Sequence, residues 1–512
     1  MDLHRSRARG WPRRVHHGGC VLVISALLAG CARAPEPLRI VFENDLRTLD
    51  PHHHNDVVAW SLLANFYDGV ARFDPEMRLQ PALATGWEAL SPEHLRIHLR
   101  SQVRFHDGSR LTAEDVVASL LRARDDPASR IRHLLEGVHA VTAVDPLTVD
   151  VHTLRGSPTL LNRLALVFVL PARDAARAEI TIPVGTGPYR FEARRSDGVV
   201  AAEAFDGWRG RPPIAKVEFS FIPDEGERAR RLLTGQADVA VRLSPGTAET
   251  VARRPGRRLI VQPRTAVQML ELNPGNAAGT TARALADPRV RRALLLATDR
   301  QRFVNIAYRG NGAVATQYVH PVVFGFDPAI AQVPHDPPRA AELLRQAGVA
   351  PGELELGLGF GAASADLAAL LAEDLTRLGV RVQLHQLSFK ELMDRAGTPR
   401  ISARIYGRLC TTGDAAELFN ATFHSPLADG TYGSENFTGY ADAETDSLLE
   451  AASWELDPQR RLALLHRAQR RVLEALPILP LTLSWSQTGV REGLEFTPRH
   501  DQWLDVASIS RR

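Results

Sequence analysis

Cysteine is almost missing from this sequence, which has three in 512 residues: Cys20, Cys31 and Cys410. A body with Cys410 alone cannot be stapled by disulfides, so its fold must rest on a large apolar core. Lysine is just as scarce, at Lys216 and Lys390 only, and arginine carries the rest of the basic count. Beyond residue 30 there is no apolar run of the ~20 residues that a bilayer-spanning helix takes. Leu164 to Leu170 and Leu476 to Leu483 are short apolar runs and read as buried strands. The usual signatures of catalysis are also missing. There is no Gly-x-Ser-x-Gly elbow, no Gly-Lys-Ser/Thr phosphate loop, and no Cys-x-x-Cys or His-Glu-x-x-His. Cys410 has His424 nearby in sequence, but nothing in the spacing brings them together as nucleophile and base. These absences favour binding over catalysis and call for no cofactor.

What is present begins with the N-terminus. Five arginines, the apolar run Val21 to Leu27, and Leu28-Ala29-Gly30-Cys31 follow one another. A basic head, a short apolar segment and a small-residue cleavage site make an export signal over residues 1–30. The signal ends in a cysteine, and this resembles a bacterial lipoprotein signal in which Cys31 is lipid-modified. Two or more acyl chains, at about 0.8 kcal/mol per buried methylene, would then anchor the chain to a membrane face outside the cytoplasm. The leader also accounts for the charge. Removing its five arginines and Asp2 from a formal net +3 leaves a mature chain near −1, which offers nothing to nucleic acid.

After a tether at 31–37, Leu38 to Phe42 reads as a first strand, stopped by Leu49-Asp50-Pro51. His52-His53-His54 follows. Adjacent side chains do not converge easily on a metal, so the triplet reads as a loop rim at a cleft, with no metal assigned. Leu95 to Leu99 is a strand, Asp107-Gly108 a turn, and Thr112-Ala113-Glu114-Asp115 the capped start of a helix. Val184-Gly185-Thr186-Gly187-Pro188 reads as a rigid corner entering a strand, not as a phosphate cradle. A crossover between domains falls near residues 270–280. Beyond it, strand 354–358, helix 365–378 and strand 380–387 imply a parallel pair, with a third strand at 401–406 ending in a polar loop. Open α/β sheets place ligands beyond such strand ends. Pro480 predicts an edge or a bulge in the last apolar segment.

These stretches, in order, are what identify a family. Leu49-Asp50-Pro51, Pro81 to Trp87, Arg104-Phe105-His106-Asp107-Gly108 with Leu111 to Val116, Gly185 to Phe191, Phe205 to Pro213, Asp287 to Arg300 and Asn436 to Tyr440 span nearly all of 38–485. The chain resembles extracytoplasmic solute-binding proteins of the peptide/nickel class, which feed ATP-driven importers. The resemblance implies a two-lobed α/β periplasmic-binding-protein fold. Its first lobe is 38–274 with an inserted subdomain at about 70–185, its second lobe is 275–475, and 476–512 return to the first. It implies a monomer that encloses a peptide, or another solute such as a chelated metal, an oligosaccharide or an opine-like compound, and passes it to membrane permease subunits. In peptide binders of the family, an aspartate in the loop after a second-lobe strand holds the ligand's amino group. Here Thr412 stands at that position, Leu409 stands where tryptophan is common, and Asp414 lies two residues on. Either Asp414 takes the amine, or the ligand has no free amine and Arg408 anchors a carboxylate. Trp208 is cleft wall or loop packing, and Tyr432 and Asn436 are further lining candidates.

Overall fold

Two long antiparallel strands, Arg257–Leu272 and Ile478–Arg491, run side by side through the molecule. In the computed structural model described here, which covers residues 36–393, 400–428 and 430–512, Pro37–Arg512 form one unit. The leader and Cys31 lie outside the described residues.

The two long strands form the middle of an eleven-stranded sheet. On one side of them come Ala403–Leu409, Glu355–Phe360 and Arg381–Gln386. On the other come Val239–Ala240, Leu38–Phe42, Lys216–Phe221, Val200–Ala204 and Tyr189–Arg194, and Gly312–Val314 adds onto Ile478–Arg491. As the strand–helix–strand order implies, Glu355–Phe360 and Arg381–Gln386 pair in parallel, with the helix Ala365–Arg377 between them. A separate antiparallel sheet of Ala84–Ser91, His94–Leu99, Thr148–Thr153 and Val138–Asp145 sits within the expected inserted subdomain.

The apolar cores divide along the long strands. Ile260 and Val490 pack with Leu38, Ile40, Phe66 and Phe219 in one core. Leu270, Leu479 and Leu481 pack with Leu294, Leu358 and Leu371 in another, and Met269 and Ile478 join Phe419 and Leu465 in a third. The architecture is therefore two-lobed, and both strands cross between the lobes. Along strand Arg257–Leu272, Ile260 belongs to the first core and Val267 to Leu272 supply the other two. The register between the strands shifts between Pro263 and Val267, so strand Arg257–Leu272 bulges there and then continues unbroken into the second lobe. A second shift, between Gln268 and Met269, lies opposite Pro480. Pro480 thus marks a bulge as expected, but in a central strand, not at an edge. Its missing N–H is tolerated because the ladder is already interrupted.

Several sequence motifs lock the first lobe. Thr112 and Asp115 form the capping box of helix Ala113–Asp125. The glycine corner is structural, as read: a Cβ on Gly185 would lie 2.1 Å from the Phe66 carbonyl oxygen, and one on Gly187 2.5 Å from the Phe66 carbonyl carbon. His106 ties this corner to the Arg104–Gly108 turn. Its Nδ1 accepts from the Gly185 N–H and its Nε2 donates to the Gly187 carbonyl, which fixes a neutral tautomer.

Two expectations fail. Leu164 to Leu170 is not a strand: Leu160–Leu164 is a short helix, and the apolar residues after it are buried in irregular backbone. The histidine triplet is not a cleft rim. His52 and His54 are buried. The His52 Nε2 donates to the Phe168 carbonyl, and its Nδ1 faces Arg122. Asp50 takes Arg122 bidentately, with N–O distances of 2.9 and 2.7 Å, and accepts from the backbone of His52 and Ile180. His53 binds Asp126 at 2.8 Å. Asp50, His52 and His53 thus form a paired polar knot with Arg122 and Asp126, while both ring nitrogens of the buried His54 have no hydrogen-bond partner.

Candidate functional site

The loop Tyr406–Phe419 touches residues distant in sequence. The Asn162 amide of the first lobe donates to the Thr412 carbonyl at 2.8 Å, and Met77 packs beside Gly413. Yet the charges of this loop are already committed within the protein. Asp414 caps helix Ala415–Thr422 through the Ala416 N–H and grips Arg461 through both oxygens, at 2.6 and 2.8 Å. It is buried and holds no free oxygen for a ligand amine, so the expected anchor is a structural ion pair. Arg408 is likewise engaged. It meets the Glu271 carboxylate at 3.2 Å and pairs with the Glu435 carboxylate, and Tyr406 lies beneath its guanidinium. Thr412 donates its hydroxyl to Glu417 at 2.6 Å.

The remaining expected residues also turn inward to their own loops. The Asn436 amide bridges the carbonyls of His424 and Tyr440. Tyr432 stacks on the His424 ring at 4.2 Å. Trp208 packs in its loop beneath Arg209, which binds Asp68, and Asp68 accepts from Thr186 of the glycine corner. The Cys410 thiol is buried against the Asp414 carbonyl, and burial pushes its pKa well above the ordinary range, which disfavours the thiolate.

Two cavities at the hinge tell a different story. One, of about 20 Å³, is lined by Glu43, Arg242, Gln262, Ser486, Thr488 and Gln502. Its neighbour, of about 10 Å³, is lined by Trp60, Phe73, Thr265, Leu409, Thr411 and Trp503. Val57 and Trp503 belong to both. Leu409 and Thr411 therefore line a cavity, and Asp414 lines neither of these two. The first cavity is polar and underpaired. Neither side-chain oxygen of Glu43 makes a hydrogen bond, although Arg242 Nη1 stands 2.7 Å from one of them. Both amide atoms of Gln502 are buried and unpartnered. Arg242 and Gln502 hold left-handed backbone, with φ of +49° and +67°. Non-glycine residues in that region cluster at ligand sites, where surrounding structure enforces the strain.

Arg264 lies two residues past Gln262 on the same strand, inside the bulge, and lines neither of these two cavities. Among the described residues no carboxylate pairs with it, and its Nε is buried without a hydrogen bond. Its charged neighbours are Arg242 and Glu43, with Tyr308 beside them. Burial, reinforced by Arg242, pulls its pKa down to about 10, so it remains charged at neutral pH. The charged residues lining the first cavity, Glu43 and Arg242, pair with each other and balance. Sequence reasoning did not single out Arg264, because no local motif separates it from the many other arginines.

One cluster among the described residues has donors placed for a metal. His94, Asp150 and His152 bring ligand atoms within 4.8 Å of one another on the subdomain sheet. Arg96 holds both oxygens of Asp150 at 2.8 Å, however, and its charge opposes a cation there.

Residues 78–464 match the family described as bacterial extracellular solute-binding proteins, family 5 middle. The chain belongs to this family. The family 5 fold is also seen in solved structures. The chain superposes on the substrate-binding protein CtaP of Listeria monocytogenes with a TM-score of 0.83 at 20% identity, covering 93% of this chain and 99% of that one. A dipeptide-binding protein from Pseudoalteromonas sp. SM9913, in complex with Met-Leu, gives 0.77 at 21%, covering 93% and 100%. Among curated proteins of known role, the glutathione-binding protein GsiB of Escherichia coli K12 is 27% identical over 491 residues, 92% of this chain and 94% of that protein. The described residues of this family 5 member contain no helix long and apolar enough to cross a membrane.

Proposed function

We propose that the protein captures a peptide or peptide-like solute outside the cytoplasm, in the cleft between its lobes, and delivers it to the permease subunits of an ATP-driven importer. The observation that carries this reading is the underpaired polar cavity at the crossing of the two long strands, in a chain of the solute-binding family. A hinge of two continuous strands lets the lobes move as bodies around a solute held at the crossing. Two relatives bear names that fit short peptides, glutathione in one and a dipeptide in the other. A neighbour in complex with agropinic acid, at 23% identity and a TM-score of 0.74, supports an opine-like solute as the alternative cargo. The mature chain works as a monomer, held to the membrane by lipid on Cys31.

Native mass spectrometry of the protein purified without refolding tests the cargo. A set of short peptides co-purifying with it is the expected result. A single non-peptide mass would move the assignment to the alternative. For the anchor, Cys31→Ser should shift the protein from the membrane fraction to the soluble one, and unchanged fractionation would remove Cys31 as the lipid site.

A further inference from the structure

We propose that the outward face of the subdomain sheet binds one divalent transition-metal ion of the Zn2+ class through His94, His152, Asp150 and His139. The site is separate from the two hinge cavities, since none of these residues lines either of them. It does not depend on the identity of the captured solute.

Strand register brings the donors together. His94 pairs with His152 between strands His94–Leu99 and Thr148–Thr153, and Arg96 pairs with Asp150 two residues along. Side chains two apart on a strand share a face, so His94, Arg96, Asp150 and His152 point the same way. Ile97, Val149 and Val151 point the other way, into the first core. On the far side of Thr148–Thr153, strand Val138–Asp145 shifts register between Val138 and Ala140, where Ala140 pairs with His152. His139 is the extra residue of that bulge and is exposed. Its ring lies 6.4 Å from the His152 ring, and the His94 ring lies 4.1 Å from His152. Three adjacent strands thus give one imidazole each, with His152 in the middle.

The distances suit an ion shared by these groups. His94, Asp150 and His152 each place a donor atom within 4.8 Å of the others. His94 Nε2 is buried and makes no hydrogen bond, although Asp150 Oδ2 is 2.9 Å away. About 3 Å is the separation of two neighbouring ligand atoms bonded to one metal at about 2.1 Å. Bonds of that length put the centroids of two ligating rings about 4.5–6 Å apart, and the two ring separations here bracket that range. Imidazoles with a single carboxylate select Zn2+, Ni2+ or Cu2+ over Mg2+ and Ca2+, which take oxygen ligands.

Arg96 weakens the site without filling it. Its two N–H groups each take one oxygen of Asp150 at 2.8 Å, whereas a carboxylate offers about four lone-pair positions. It fixes the carboxylate in place, as outer-shell partners of metal ligands do. Its charge opposes the ion, so replacing it with a neutral donor should tighten binding.

Zn2+ titration calorimetry on the full mature protein, stripped with EDTA and desalted, tests the site. The proteins are wild type, His94→Ala, His152→Ala, His139→Ala and Arg96→Gln, each checked for an unchanged melting temperature in EDTA. Wild type should bind one Zn2+ per chain. His94→Ala and His152→Ala should each weaken binding about 100-fold, since even outer-shell partners are worth about 10- to 100-fold, and the exposed His139→Ala about 10-fold. Arg96→Gln should tighten it about 3- to 10-fold. A His152→Ala affinity within about twofold of wild type, or no saturation of wild type below ~1 mM Zn2+, would overturn the site. An Arg96→Gln protein that binds no tighter would remove Asp150 from the ligands and overturn the assignment as stated. Cu2+ in place of Zn2+ reads the ligands on wild-type protein alone: its electron paramagnetic resonance spectrum should show coupling to imidazole nitrogens, and a spectrum without that coupling would also overturn the site.

Discussion

The loop Tyr406–Phe419 and the bulge Pro263–Val267 hold their charges in opposite states. In the loop, Asp414 has Arg461 and a helix N-terminus, and Arg408 has Glu271 and Glu435. At the bulge, Arg264 has neither acid nor hydrogen bond on its Nε. A charged residue near a cleft is available to a ligand only when the protein has not already neutralised it. The pattern position of a loop says where it lies; the partners of its side chains decide whether it can bind.

The largest effect that would break this contrast comes from Asp414→Ala. It leaves Arg461 buried without its partner, and such half-pairs cost about 3–5 kcal/mol. Urea unfolding should show that loss, while affinity for free-acid tripeptides, measured well below the melting point, stays within about twofold. An Asp414→Ala protein of wild-type stability that no longer binds peptides would restore Asp414 as the ligand anchor and reverse the comparison.

Acid should next separate the buried histidines of the knot and the glycine corner from the bulge. Burial holds His52, His54 and His106 neutral, each lowered from 6.5 to about 4. Their depressed values mean that the stability they contribute is present above pH 6.5 and is lost as pH falls toward 4. Between pH 7 and pH 5 each gives up about 2 kcal/mol. Arg264 stays protonated throughout, so the bulge keeps its charge over the same interval while the urea midpoint falls. A midpoint that is flat from pH 7 to pH 5 would show that the knot and the glycine corner do not depend on neutral imidazoles.

The junction itself supplies a smaller effect. Asn162 reaches the Thr412 carbonyl across the lobes. Asn162→Ala removes one neutral hydrogen bond, worth about 1 kcal/mol. It should raise the radius of gyration of the unliganded protein in small-angle scattering, with little change in unfolding. An unchanged scattering profile would mean that this contact does not help to hold the lobes together.

How much of this could be read from the sequence follows from range. Motifs whose physics is local came through: the capping box at Thr112–Asp115, the turn at Asp107-Gly108, the glycine corner and the parallel strand–helix–strand pair. Two-lobed architecture came from the order of motifs along the chain. Ion-pair partners did not come through, because they are distant in sequence. Asp414 meets Arg461 after 47 residues, and Arg408 meets Glu271 across 137. A histidine triplet looks exposed and polar until Asp50 and Arg122 are seen to bury it. Leu164 to Leu170 has the composition of a strand, but no neighbouring strand pairs with it. Arg264 could be recognised only by the lack of a partner, a property that no single sequence displays.

The finest test concerns strain at the cavity. Gln502 holds φ at +67° while both polar atoms of its side chain go without protein partners. A left-handed non-glycine residue costs about 1 kcal/mol, which Gln502→Gly would relieve. Glycine also adds freedom to the unfolded chain, which offsets roughly that amount. Stability should therefore move by less than about 1 kcal/mol in either direction. If the amide faces the solute, as the cavity lining implies, Gln502→Gly should weaken peptide binding a few-fold. A clear loss of stability with unchanged binding would instead make Gln502 part of the paired, structural half of the molecule.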